Sequence, residues 1–174
     1  AGGARGGLTM LPATGERQVI GIGGLAAGAG TGVIITHALG SCLGVTAHDR
    51  FTAAGAMIHL QLPLSARAPE RARELPTLFV HLGLPLLLDA AVRAGAERRR
   101  LRLVVAGGAN ITGAAGGGAF DVAAQNIAVL RKTLWRMGLL IAAEDVGGTK
   151  PRTMQLDLAE GGVRIDTDGR SHVL

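Results

Sequence analysis

The chain is 174 residues long, 48% hydrophobic and carries a formal net charge of +5, which suits one domain with a real core and leaves no room for two ordinary ones. Its single cysteine excludes an intramolecular disulfide and fits a reducing cytosol, and no apolar run reaches the roughly 18 residues that span a membrane. The charge is almost all arginine, but with aromatics at 2% and no tyrosine there is no stacking platform for nucleic acid, so the basic surface reads as solvated and suited to an acidic protein partner.

Residues 1–16 read as a flexible leader without the compact apolar core of a secretory signal, and 17–174 as a single domain. From Gln18 to Asp49 the apolar residues come in short, glycine-bounded runs, QVIGIGGL, TGVIITHAL and CLGVTAHD. They are rich in Val and Ile and too short for helices, so strands are expected. FTAAGAMIHLQLP continues this pattern, with Pro63 closing a strand that carries His59. Residues 64–76 are polar, charged and interrupted by proline, which predicts a loop or irregular turn.

A first helix is expected to begin close to Pro85, with Leu84, Leu87, Leu88, Ala91 and Val92 on one face and Gly95 at its end. LRLVVAGG is a strand leading into the glycine-rich loop AGGANITGAAGGG. Asp121 then caps a second helix with a stripe of Ala123, Ile127, Leu130, Leu134 and Met137. LLIAAEDV, TMQLDL and GVRIDT close the chain as strands. The order implies an α/β fold, a layered sandwich of mixed β-sheet with two main helices.

GIGGLA at 21–26 fits a loose dinucleotide pattern, but Gly28, Gly30 and Gly32 follow where a helix is required, and the nucleotide reading fails. The loop after LRLVVAGG lacks the ending of a phosphate loop. His37, His48, His59, His81 and His172 show no close pairing and there is one thiol, so neither metal nor cofactor is expected.

Cys42 is the remaining reactive group. A lone cytosolic cysteine is ordinarily a small buried hydrophobe. Three features argue for more: the Leu-Gly-Ser-Cys turn between strands, glycine that lets a substrate approach backbone N–H groups, and His59 near the end of a later strand. Ser41 is the weaker nucleophile beside a thiol.

ALGSCLGVTAHD, GAMIHLQLP, GLPLLLDAAVRAGAERRRL, AGGAN, the Asn126 position in AAQN, and IAAEDVGGTKPRTMQLDL together resemble the chemoreceptor glutamine deamidases, the CheD family. The resemblance covers most of the chain and implies a CheD-like cysteine deamidase fold. It places the family's catalytic residues on Thr36, Cys42 and His59, six and then seventeen residues apart. This chain departs from the family pattern at His48, at Phe79-Val80-His81, at Ala-Ala-Gln before Asn126, and at Pro151.

What the resemblance implies is a cytoplasmic hydrolase that converts receptor glutamine side chains to glutamate. Cys42 attacks, His59 pairs with it as a thiolate–imidazolium couple, and Thr36 fixes the imidazole. Backbone N–H groups around Ser41, Cys42 and Leu43 are expected to hold the oxyanion, with Gly40, Gly107, Gly108 and Asn110 as site wall. The same machinery suits a glutamyl methyl ester. The expected partner is the helical cytoplasmic domain of a chemoreceptor. The alternative is a paralogue kept for interaction with a receptor or with a phosphatase of the CheC type, and a third is a cysteine hydrolase with another substrate.

Overall fold

A computed structural model describes residues 8–10, 15–112 and 121–174. Six strands form one mixed sheet in the order β1 (Leu8–Met10), β3 (Leu25–Ala29), β6 (Ala54–Leu60), β5 (Leu43–Asp49), β7 (Arg102–Gly107) and β8 (Ile141–Val146). Five form the other, in the order β11 (Arg170–Val173), β10 (Val163–Thr167), β9 (Arg152–Asp157), β4 (Val33–Leu39) and β2 (Arg17–Ile20). The helices are α1 (Pro69–Glu74), α2 (Val80–Arg93) and α3 (Val122–Arg136).

The two-residue period of the strands decides the layering. Leu43, Val45 and Ala47 of β5, with Ala54, Ala56, Ile58 and Leu60 of β6, pack in one core with Leu84, Leu87 and Leu88 of α2 and Leu130 and Leu134 of α3. Met57, Val104 and Ala106 on the alternate positions pack in a second core with Ile34, Met154 and Leu156 of the other sheet. The result is helices on one face of the six-stranded sheet and the five-stranded sheet on the other, the layered sandwich expected. Every residue of β5 and β6 is buried, which explains why these strands mix Val and Ile with Ala and Gly. A Cβ on Gly44 would lie 2.8 Å from Leu39 Cδ1 and from Met154 Sδ. Each fully buried leucine of α2 contributes about 1.5–3 kcal/mol.

Helix α2 starts at Val80, five residues before Pro85. What overrides the proline is packing. Gly83 brings the helix so close to β6 that a Cβ there would meet Leu60 Cδ2 at 2.5 Å, while Pro85 sits on the exposed side. Val92, expected on the buried face, is 41% exposed. Gly95 does end the helix, at φ +114, with Ala96 N–H bonded back to Ala91 O and Gly95 N–H to Val92 O. Asp121 caps α3 by accepting from Ala124 N–H at 3.0 Å. The segment expected as loop contains α1 between two short 3-10 turns. Strands β1, β3 and β11 carry too little Val or Ile pattern to have been anticipated; β1 falls inside the expected leader and pairs in parallel with β3.

Among the described residues no helix is long and apolar enough to cross a membrane. Several surface arginines are paired, as in Arg73–Glu70, Arg99–Glu97 and Arg131–Glu144. Arg100 reaches the fully buried Asp49 carboxylate, which also accepts from Glu97 and Phe51 N–H. Its charged hydrogen bonds with Arg100, ahead of the two backbone donors, hold that carboxyl far below the ordinary range.

Candidate functional site

Thr36 and His59 meet in the layer between the sheets, and Cys42 lies on the same face of the six-stranded sheet as His59. β4 delivers Thr36 and then bulges between Thr36 and Leu39, with Ala38 at φ +56. The bulge turns the chain through Gly40 and Ser41 into Cys42, which directly precedes β5. In the adjacent strand Gly44 pairs with His59 and Leu43 with Leu60. Cys42 therefore lies on the His59 face of the sheet, just past the end of this ladder. All three side chains are buried: Thr36 at 0%, His59 at 2% and Cys42 at 8% exposure.

Thr36 Oγ1 and His59 Nδ1 are 2.7 Å apart. The same hydroxyl donates to the Ile20 carbonyl at 2.9 Å. A carbonyl only accepts, so the single hydroxyl proton is committed there, and Nδ1–H of His59 donates to Thr36. The remaining nitrogen, Nε2, carries the lone pair. It is buried and has no hydrogen-bond partner among the described residues. A base with its lone pair free is thus built into the fold.

Burial sets the resting charges. Desolvation lowers the His59 pKa to about 4, and it raises that of Cys42, partly offset by the cysteine's own backbone N–H. Both shifts favour the neutral thiol and the neutral imidazole over the thiolate–imidazolium couple expected from sequence, because neither charge is well solvated in this layer.

The expected site wall divides. Gly107, at φ +111, faces the Cys42 carbonyl so closely that a Cβ would lie 2.2 Å from its oxygen. Gly108 N–H donates to that oxygen at 2.8 Å, and Ala109 N–H to Gly40 O at 2.7 Å. Both glycines support the Cys42 turn from beneath. Asn110 belongs to the following loop, its N–H on Gly148 O and its Oδ1 accepting from Thr112. Leu43 is the first ladder residue, with its side chain in the helix-side core. Ser41 and Cys42 N–H meet no main-chain acceptor among the described residues.

Three supports were not foreseen as parts of the site. The GIGG turn, which failed as a nucleotide motif, pins the histidine strand: Gly23 N–H donates to His59 O at 2.8 Å, and His59 N–H to Gly24 O at 3.0 Å. Asn126 of α3 donates through Nδ2 to Ser41 O and to Gln61 O, both at 3.0 Å. Arg152 pairs with Asp145 at 2.8 Å and reaches the Gly107 carbonyl at 3.5 Å. Long-range contacts of this kind leave no local sequence pattern, although Asn on the buried stripe of a helix is itself a sign of a tertiary hydrogen bond.

The departures from the family pattern are not all near this site. His48 is at the opposite end of β5 from Cys42, 4% exposed, donating from Nε2 to Leu158 O at 2.8 Å. Phe79 is fully buried before α2. His81 bonds Pro63 O through Nδ1 and Ser65 Oγ through Nε2, each at 3.2 Å.

A family model described as CheD chemotactic sensory transduction matches residues 61–167. A probable chemoreceptor glutamine deamidase CheD of Solibacter usitatus is 40% identical over 142 residues, covering 82% of this chain and 83% of its own length. Its counterpart in Pyrococcus horikoshii is 38% identical, covering 84% and 89%. The probable chemoreceptor glutamine deamidase CheD 2 of Anaeromyxobacter dehalogenans is 40% identical, covering 85% and 92%.

Proposed function

The chain belongs to the CheD family, and on that premise we propose that it is a cysteine amidohydrolase that converts glutamine side chains of chemoreceptors to glutamate. The observation that carries the reading is His59 Nε2, buried and unpartnered, with its tautomer fixed by Thr36, on the sheet face that also carries Cys42. The support for these three roles is their geometry and the resemblance of the two motifs around them.

A primary carboxamide is a poor electrophile, and burial disfavours the thiolate at rest. The thiol proton therefore passes to His59 Nε2 as Cys42 Sγ attacks the glutamine carbonyl carbon. The carbonyl oxygen takes the negative charge and is met by the N–H groups of Cys42 and Ser41. Collapse breaks the C–N bond. His59 returns its proton to the nitrogen, which leaves as ammonia, and a glutamyl thioester remains. A water molecule then attacks the thioester and gives a proton to Nε2. The C–S bond breaks, Cys42 recovers the proton, and glutamate is released. Thr36 accepts from Nδ1–H throughout, so the imidazolium formed at each step keeps its orientation. No metal enters any step.

The family alternative of an interaction module needs neither an unpartnered buried imidazole nitrogen nor a fixed tautomer, and the unpartnered nitrogen costs stability when unused. The test is mass spectrometry of a receptor cytoplasmic fragment incubated with the protein, beside Cys42→Ala and His59→Ala. Conversion of glutamine to glutamate that is lost in both variants is the expected result. No conversion by the unaltered protein would overturn the reading.

A further inference from the structure

Asn126 ties the nucleophile turn to the histidine strand. It is 0% exposed on α3, and its two Nδ2 protons go to carbonyls of separate segments: Ser41 O, in the turn just before Cys42, and Gln61 O, just past the end of β6 and two residues after His59. Both acceptors lie at 3.0 Å and neither is able to donate, so the amide has one orientation. Its Oδ1 is buried without a partner among the described residues. Asparagine is a poor helix former. Its place on the buried stripe of α3 is accounted for by these two bonds.

Resting on the reaction proposed above, we infer that Asn126 is a positioning residue for it, one that turns the Cys42 N–H toward the point where negative charge develops. The peptide unit between Ser41 and Cys42 is trans, so its C=O and N–H point in opposite directions. Drawing the Ser41 oxygen toward α3 sends the Cys42 N–H to the other side. There it meets no main-chain acceptor among the described residues, and it lies close enough to its own sulfur to favour the thiolate. The next peptide unit is held from below, where Gly108 N–H takes the Cys42 carbonyl at 2.8 Å. With both flanking peptide planes fixed, the donor is oriented before any substrate arrives. That is the condition under which an oxyanion donor lowers a barrier.

The test separates donor orientation from general integrity by using two reagents on Cys42. Iodoacetamide is displaced at a saturated carbon and forms no oxyanion. p-Nitrophenyl acetate acylates the sulfur through a tetrahedral oxyanion. Asn126→Leu keeps the size and removes both donors. We expect acylation to fall about 10- to 100-fold while alkylation at the same pH falls by a much smaller factor, the part the N–H plays in favouring the thiolate. Asn126→Ser, which retains one donor, recovers part of the acylation rate, and it carries the comparison if circular dichroism shows the leucine variant unfolded. Both rates falling by the same factor, an unchanged acylation rate, or no acylation of the unaltered protein would overturn the inference. Neither reagent is a glutamine, so a normal acylation pattern without receptor conversion would count against the deamidase reading alone.

Discussion

Thr36 accepts a 2.7 Å hydrogen bond from Nδ1–H of His59 while giving its own proton to Ile20 O. This one hydroxyl decides which imidazole nitrogen is basic. Thr36→Val keeps the β-branched shape that suits β4 but leaves Nδ1–H without its acceptor and takes the hydroxyl donor from the Ile20 carbonyl in a dry layer. We expect receptor glutamine conversion to fall on the order of 10- to 100-fold, mainly in kcat, with a loss of about 1–3 kcal/mol in stability. Thr36→Ser keeps the hydroxyl and restores most of the rate. A valine variant as active as the serine variant would remove Thr36 from the mechanism.

The order of the central strands β4 to β7 and of the two long helices was readable because short, glycine-bounded runs rich in Val and Ile, and the capped stripe of α3, are local signals. Cys42 and His59 stood out as candidates because a glycine turn and a strand-borne histidine are local features too. Asn126, Arg152 and the GIGG turn act on the site across 85, 45 and 36 residues of sequence respectively, distances at which no pattern speaks. The start of α2 was misread for a related reason. Gly83 against Leu60 and Ile58 is a tertiary fit, and it outweighs the local effect of Pro85.

The charge state of the resting pair gives a second prediction. With burial raising the Cys42 pKa, thiolate forms only above the range of a free cysteine. The rate of alkylation by iodoacetamide should therefore climb with pH to a midpoint above that of a free thiol. Measuring the rate against pH beside a small-molecule thiol is sufficient. A midpoint below the free thiol would mean a preformed thiolate–imidazolium couple and would refute the neutral pair.

His59 also links stability to acidity. Its folded pKa is lowered from 6.5 to about 4, so between these values the unfolded chain binds a proton that the folded chain refuses. Above 6.5 both states are neutral and the group contributes nothing to the pH dependence. As pH falls from 6.5 toward 4, stability drops, by roughly 3 kcal/mol over the whole window. Asp49 acts in the same direction, but from the ordinary carboxylate value of 3.8 downward, since its folded pKa is lowered. Urea unfolding across the histidine window should show the slope in the unaltered protein and a much flatter line in His59→Gln. Equal slopes in the two proteins would place the effect elsewhere.

Gly107 and Gly147 provide a matched pair that isolates the packing beneath Cys42. Both have positive φ, +111 and +81, and Gly147 N–H donates to Gly107 O at 2.9 Å. An added methyl at Gly147 meets nothing within 4 Å, so Gly147→Ala carries only backbone strain, about 1–2 kcal/mol. At Gly107 the same methyl would lie 2.2 Å from Cys42 O and 3.3 Å from Leu39 Cβ. Neither atom is the end of a flexible chain. The Cys42 carbonyl has to move, the Gly108 bond to it stretches, and the nucleophile turn moves with them. Gly107→Ala should therefore cost on the order of 3 kcal/mol or more and abolish acylation of Cys42, while Gly147→Ala leaves acylation intact. Thermal unfolding gives the first difference and p-nitrophenyl acetate the second. Equal losses in the two variants would mean that strain alone matters at Gly107, and that the Cys42 turn is not held by contact with β7.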